Sequence, residues 1–358
     1  MQVGIIGLPN VGKSTIFNVL TRANAEVANY PFCTIEPNTG LIRVPDNNIE
    51  KLATIYNSKK ITPSSIKVLD VAGLVEGASR GEGLGNKFLS HIREVDVIAH
   101  IIRCFYDENV AHSTGKISPD ADNDIVVTEL MLADIETMER KKEKLESIAK
   151  SGDESAKEHV RIIESLIVEF NKGSVPDISD IKRDNQELFK ELNLMTLKPT
   201  LYIANMGDDE NSEELFEELK EKIKSNEIVR IYGKIEDELL DIPQEERVEY
   251  RKELGVKGDG LDGFIKKCYS MLGLITFYTI NENETHAWSL INGSNVFDAA
   301  GKIHTDMQRG FVKAEVINNS ELLDYGSMQK ARDEGKIRME GKDYIVRDGD
   351  VILIKFTS

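Results

Sequence analysis

Cysteine is scarce in this chain: Cys33, Cys104 and Cys268 are the only three among 358 residues. They lie far apart and lack metal-ligand spacing, so ordinary reduced thiols of a cytosolic protein are expected rather than a disulfide framework. Long apolar runs are missing too, and no stretch suffices to span a bilayer. Met1 leads straight into the first apolar run, which leaves no room for a signal peptide ahead of it. Basic charge is in deficit, with 45 Lys and Arg against 62 Asp and Glu and a formal charge of -17. That balance argues against a bulk electrostatic nucleic-acid surface and against a sequence-specific DNA reader, although a local basic patch on an acidic whole remains compatible with it. The length admits two or three domains and a core that needs no cross-links.

What is present begins with Gly7-Leu8-Pro9-Asn10-Val11-Gly12-Lys13-Ser14-Thr15. The apolar run Val3-Gly4-Ile5-Ile6 before it reads as a buried strand, and Ile16-Phe17-Asn18-Val19-Leu20 after it has helical spacing. Strand, glycine loop and helix are the context that a Walker A match requires. In such a loop backbone N–H groups close around phosphate oxygens, and the helix N-terminus adds its positive dipole end. Asn10, Val11, Gly12, Lys13, Ser14 and Thr15 are therefore the candidate phosphate-binding residues. Lys13 is expected to reach the β- and γ-phosphates as a catalytic group, and the Ser14 hydroxyl to ligate Mg²⁺.

Three later positions complete a phosphate sensor. Thr34, in the proline-bounded loop Tyr30-Pro31-Phe32-Cys33-Thr34-Ile35-Glu36-Pro37, is the candidate for closing the Mg²⁺ shell; the alternative is a plain connecting loop. Asp70 ends the strand Ile66-Lys67-Val68-Leu69 and is placed to hold Mg²⁺ through water, while Gly73 offers its N–H to the γ-phosphate. Leu74 stands where Ras-type GTPases carry a water-orienting glutamine, and it can neither donate nor accept a hydrogen bond. His112, beyond the strand Val97–Phe105, is the candidate replacement; the alternative is a solvated loop histidine.

From about Ile125 the composition becomes highly charged and helical, and Ser151-Gly152-Asp153 breaks it before a second helix from about Glu154 to Phe170. Asp153 is placed to cap that helix. The pair reads as an antiparallel hairpin or coiled coil, its first helix projecting by roughly 35–40 Å. The strand Lys198–Ala204 then leads to Asn205-Met206-Gly207-Asp208, where a GTPase reads guanine with Asn-Lys-x-Asp. Met206 replaces the lysine, Asp208 is retained with Asp209 and Glu210 as rival carboxylates, and Asn205 suits either purine. Gly233 follows the strand Ile228–Tyr232 where a serine is usual. Asn205, Met206 and Gly233 are the base-side candidates. From Leu274 onward, short alternating strands such as Thr276–Ile280 and Val351–Phe356 suggest a small, mainly β module of ubiquitin-like size.

Taken together, these residues resemble the YchF/Obg-like ATPase family of P-loop NTPases. The likeness covers nearly the whole chain. It rests on the glycine loop, on Tyr30–Pro37, on Asp70-Val71-Ala72-Gly73-Leu74-Val75, and on Gly81-Glu82-Gly83-Leu84-Gly85-Asn86-Lys87-Phe88-Leu89. Ala300-Gly301-Lys302-Ile303-His304-Thr305-Asp306 and Arg309-Gly310-Phe311 are similar to the family's TGS domain. The resemblance implies an α/β P-loop NTPase (G) domain over 1–124 and 196–273, an inserted antiparallel coiled-coil arm over 125–195, and an α+β TGS domain over 274–358. It also implies preference for ATP over GTP, an apolar residue in place of the catalytic glutamine, ribosome association, and K⁺ assistance in relatives with an asparagine at Asn10. The family's base-side motif is Asn-x-x-Glu, from which Asp208 departs.

Three functions remain in play on these residues. One is a slow, ATP-preferring hydrolase, cytoplasmic, acting with Mg²⁺ on the translation machinery. A second is a conventional GTP switch, supported by Asp208 and opposed by Met206 and Gly233. The third is a nucleotide-gated binding scaffold in which hydrolysis is incidental.

Overall fold

β5 (Val97–Cys104) is buried at all eight positions, which is what an unbroken apolar run becomes when helices cover both faces of a parallel sheet. The computed structural model describes residues 1–23, 38–71, 84–111, 115–223, 228–243, 246–258 and 260–357. Thr34, Gly73, Leu74 and His112 lie outside the described residues. Ahead of β5 come β1 (Gln2–Ile6), α1 (Lys13–Ala23), β2 (Thr39–Arg43), α2 (Ile49–Tyr56), β3 (Lys60–Thr62), β4 (Ser65–Asp70) and α3 (Leu84–Glu94). After it come α4 (Pro119–Ala149), α5 (Glu154–Asn171), α6 (Ser179–Asp184), α7 (Gln186–Leu192), β6 (Thr200–Met206), α8 (Glu210–Ile223), β7 (Ile228–Ile231), α9 (Gly233–Leu239) and α10 (Arg247–Glu253). The remainder is α11 (Gly260–Met271), β8 (Leu274–Ile280), β9 (Glu284–Ile291), α12 (Val296–Ile303), α13 (Thr305–Arg309), β10 (Phe311–Asn318), α14 (Asn319–Tyr325), α15 (Met328–Asp333), β11 (Arg338–Glu340) and β12 (Asp350–Phe356).

Packing divides the chain into two units, with Val68–Gly260 in the first alongside Met1–Ala23, and Leu41–Lys67 in the second with Leu261–Ser358. The first sheet has the strand order β2-β4-β1-β5-β6-β7, and β1–β5, β5–β6 and β6–β7 are parallel pairs. β4 and β5, consecutive strands, flank β1 on opposite sides. That reversal opens a crevice at the carboxyl end of β1, the place where open α/β sheets bind ligands. β6 runs two residues past the apolar run, so Asn205 and Met206 belong to the strand and pair with Arg103 and Cys104.

Within the first unit the helical pair is held by spacing. Met131, Met138 and Leu145 recur every seventh residue of α4 and pack with Ile163, Leu166 and Phe170 of α5. Leu188, Phe189 and Leu192 of α7 join the same cluster. α4 starts at Pro119, ahead of the charged stretch, because proline is tolerated in a first helical turn. Its 31 residues rise about 46 Å, longer than the charged stretch alone suggests. Asp153 caps α5 by accepting the Ala156 N–H at 2.9 Å, as its position before the helix predicts.

The second unit is a sheet of order β11-β10-β12-β8-β9-β3. β10–β12 and β8–β9 are antiparallel, whereas β12–β8 and β3–β9 are parallel. One face packs Phe277, Val316 and Ile352 on α12. The other packs Tyr278, Ile317 and Val351 on residues of α2, α14 and α15. α2 and β3 are short and come from the amino-terminal half of the chain; nothing in their local pattern announces a partner so distant in sequence.

Asp134 joins α4 to the chain returning to the sheet. Its carboxylate, with no exposure, accepts the Met195 N–H at 3.0 Å, the Thr196 N–H at 2.8 Å and the Thr196 hydroxyl at 2.8 Å. Asp134→Asn keeps the volume but removes one acceptor oxygen, and is expected to lower unfolding stability by about 1–3 kcal/mol. Urea denaturation measures this, and an unchanged midpoint would show that the junction carries no stability.

Candidate nucleotide site

The loop between β1 and α1 holds three positive-φ positions, of which Gly7 opens it with φ of 152°, and a Cβ there would stand 2.4 Å from Ile101 O. Asn10 has φ of 63° and Gly12 of 93°. Asparagine tolerates the left-handed region through local hydrogen bonding, whereas Gly12 is there for space as well. A Cβ on Gly12 would stand 2.2 Å from Asn205 Nδ2. The Ile16 N–H bonds the Gly12 carbonyl at 3.0 Å and so opens the helix, leaving the preceding N–H groups without partners inside it. Those donors and the helix dipole favour an anion. Ser14 and Thr15 are exposed on this first turn.

Lys13 is 8% exposed, and its ammonium donates to the Leu8 carbonyl at 2.7 Å. Burial brings its pKa down to about 8, and the Asp70 carboxylate opposes that shift. Asp70 ends β4, and its own carboxyl is pushed up by burial and down by Lys13. The Val71 N–H bonds the Ile5 carbonyl at 3.1 Å, which brings the end of β4 alongside β1. A hydroxyl on Ser14 and a carboxylate on Asp70 are hard oxygen donors of the kind Mg²⁺ takes. Among the described residues no group of three or more His, Cys, Asp or Glu is placed to hold a metal.

Asn205 ties three candidates together. Its Nδ2 donates to the Val11 carbonyl at 2.9 Å, and its Oδ1 accepts the Gly233 N–H at 3.1 Å. Asn205 is expected at the base; here its amide also braces the phosphate loop. A Cβ on Gly233 would lie 3.0 Å from Asn205 Oδ1 and 3.3 Å from Ile16 Cγ1, so the absent serine is a matter of room. Met206 is 3% exposed, its side chain packed in the apolar cluster of Cys104, Phe216, Leu219 and Ile235. What it can offer a base is backbone. Asp209 is spent on α8, accepting the Ser212 N–H at 3.1 Å and the Ser212 hydroxyl at 3.2 Å. Asp208 and Glu210 are both exposed.

On the other side, Asn10 Nδ2 donates to the Ala111 carbonyl at 3.1 Å, linking the phosphate loop to the loop that follows β5. Two ionisable residues escaped the sequence reading, although charge inside an apolar strand run is the signal that finds them. His100 is 2% exposed on β5, and burial, with Lys13 adding to it, brings its pKa down to about 3. Burial holds it neutral at physiological pH. Arg103, three residues on, is 1% exposed.

Comparison with known proteins places this arrangement. A family model described as 50S ribosome-binding GTPase matches residues 2–163, and one described as YchF-GTPase_C, of unknown function, matches residues 274–357. The chain is 44% identical to the ribosome-binding ATPase YchF of Bacillus subtilis over 362 residues, covering 99% of each. It is 41% identical to the protein of the same name from Escherichia coli O157:H7 over 358 residues, again covering 99% of each. The solved structure of a YchF GTPase from Schizosaccharomyces pombe superposes with a TM-score of 0.87 at 33% identity, covering 99% of this chain and 97% of that one.

Lys13 generates a pH prediction. The free protein loses the ammonium charge at about pH 8, while bound phosphates favour that charge. Above that pH nucleotide binding must therefore take up a proton, and affinity is expected to fall by up to about tenfold per pH unit. Titration calorimetry in buffers of different ionisation enthalpy reads the proton directly, and zero uptake at about pH 9 contradicts it. Asn205→Ala leaves the Gly233 N–H and Val11 carbonyl unpaired, and is expected to weaken ATP and GTP alike by about tenfold or more. A loss confined to one nucleotide would return Asn205 to base reading.

Proposed function

Because the chain belongs to the YchF family of P-loop nucleotide hydrolases, we propose that it binds and slowly hydrolyses ATP in preference to GTP, with Mg²⁺, as a nucleotide-dependent regulator on the ribosome. The observation that carries this reading is the buried Lys13 ammonium, within electrostatic reach of Asp70, on a loop that only glycine at position 12 permits. The names of the curated relatives support ATP and the ribosome as partners. Placement in the cytoplasm is part of the same proposal; among the described residues no helix is long and apolar enough to cross a membrane. The seven-residue spacing in α4 supports a coiled-coil arm within 125–195, and the family match supports a TGS domain over 274–358.

Ser14 and Asp70, with Thr34, would hold Mg²⁺, which when bound neutralises charge on the β- and γ-phosphates. With Nδ2 of Asn10 committed to Ala111, its Oδ1 is the atom suited to K⁺. Lys13 would leave the Leu8 carbonyl for phosphate oxygen, trading a neutral acceptor for a charged one. Gly73 would donate to the γ-phosphate. His112 would orient the attacking water that Leu74 cannot. Preference for ATP is supported by the loss of the guanine-site lysine, since Met206 packs inward. Asp208 favours a second reading, a GTP switch, because an exposed carboxylate there matches guanine N1–H and the 2-amino group.

Competition of ATP against GTP on nucleotide-free protein decides between them. ATP is expected to bind more tightly, and clearly tighter GTP rejects the first reading. His112→Ala is expected to lower kcat by about tenfold or more while changing nucleotide affinity less than about twofold. Unchanged turnover removes His112 from the reaction.

A further inference from the structure

The second unit holds a cavity of about 560 Å³, none of whose lining residues belongs to the candidate nucleotide site. Its wall comes from the loop ahead of α2, the carboxyl end of α11, β8 and the turn before β12. That volume suits a small organic molecule. The class of molecule follows from the hydrogen-bonding groups the wall has left over. Its tyrosine and turn donors are spent inside the protein. Tyr278, 3% exposed, donates its hydroxyl to Asp46 Oδ2 at 2.8 Å. Tyr269, 7% exposed, donates to the Ile275 carbonyl at 2.9 Å, so its 2.9 Å bond with the Thr276 hydroxyl uses the Thr276 hydrogen. The Asn48 N–H goes to Asp46 Oδ1 at 2.8 Å and the Thr276 N–H to Asp348 Oδ1 at 2.7 Å. Gly349 gives its N–H to the Thr276 carbonyl and Asn319 to the Gly349 carbonyl, both at 2.8 Å.

Acceptor oxygen is what remains, because each carboxylate has lone pairs beyond those bonds. Burial pushes the Tyr278 pKa up, and the charges of Asp46 and Asp348 add to it; Asp348 acts the same way on Tyr269. The wall therefore favours a ligand that donates hydrogen bonds and carries positive charge. Its two carboxylates stand at separate stations, since their anchors Tyr278 and Thr276 lie two residues apart on one face of β8, about 7 Å along the strand. A divalent metal gathers about six or more oxygens at one centre, whereas two spaced carboxylates match two ammonium groups on one short chain. Val44, Pro45 and Leu274 in the same lining give apolar surface for the methylenes between them. We propose that this cavity binds a linear aliphatic diamine or polyamine, one ammonium on Asp46 and the next on Asp348. Lys266, on the same wall, opposes such a ligand and limits its affinity.

Calorimetric titration of the full chain with putrescine and with spermidine, at low ionic strength, tests the site. Binding at one site is expected, with butylamine about tenfold weaker and butanediol not detectable. Asp348→Asn keeps an acceptor for the Thr276 N–H while removing the charge, and is expected to weaken putrescine about tenfold. Lys266→Ala, at an exposed position, is expected to tighten it about threefold, and carries the test if Asp348→Asn folds poorly. A chain of formal charge -17 also attracts polycations diffusely. Glu221→Gln on α8 removes one charge outside the cavity, and is expected to change affinity less than about twofold. Equal weakening by Asp348→Asn and Glu221→Gln overturns the proposal, as does absence of putrescine binding, or butanediol binding as tight as putrescine. Tighter binding of a blocked dilysine peptide than of either amine also overturns it, and assigns the cavity to a basic segment of another protein.

Discussion

The amide of Asn205 is the interaction on which the nucleotide site depends. It lies 5% exposed at the end of β6 and joins the Val11 carbonyl to the Gly233 N–H, so the phosphate loop and the turn after β7 are held at one separation. In a dry, low-dielectric setting such a doubly used amide is stiff, because neither bond has water to replace it. The residue identities around it follow. Gly12 has no Cβ because Asn205 Nδ2 occupies that space, and Gly233 has none because Asn205 Oδ1 and Ile16 crowd it. The register matters equally: Asn205 is opposite Arg103 on β5, so the brace and the buried guanidinium share one row of the sheet.

Charge near this edge is handled in three ways. Lys13 keeps a proton that burial has loosened, with its ammonium on the Leu8 carbonyl. His100 is too enclosed to be charged, and serves as a polar ring tilted against Tyr202. Arg103 stays charged because carbonyl dipoles surround it. The differences come from solvent access and local donors and acceptors, since all three sit among the same strands.

Outside the site the packing is apolar and modular. α4 and α5 zip along a seven-residue stripe that leaves most charged side chains facing solvent. The second unit buries both faces of its sheet, one beneath α12 and the other beneath α2, α14 and α15.

The phosphate loop, the strands of the first sheet and the capped turn into α5 were legible in the sequence, because each is governed by near neighbours along the chain. Apolar runs of strand length, glycines at fixed offsets and an aspartate before a helix act within a few residues. The roles of Asn205, Met206, Asp209 and Arg103 were not legible, because each depends on what lies opposite. Nothing near Asn205 in the sequence announces its bonds to Val11 and Gly233. The Met206 side chain packs in the core, and Asp209 bonds the Ser212 N–H at the start of α8. Joining α2 and β3 to a sheet more than 200 residues away likewise required the fold, since a short strand chooses its partner by packing and carries no local mark of the choice.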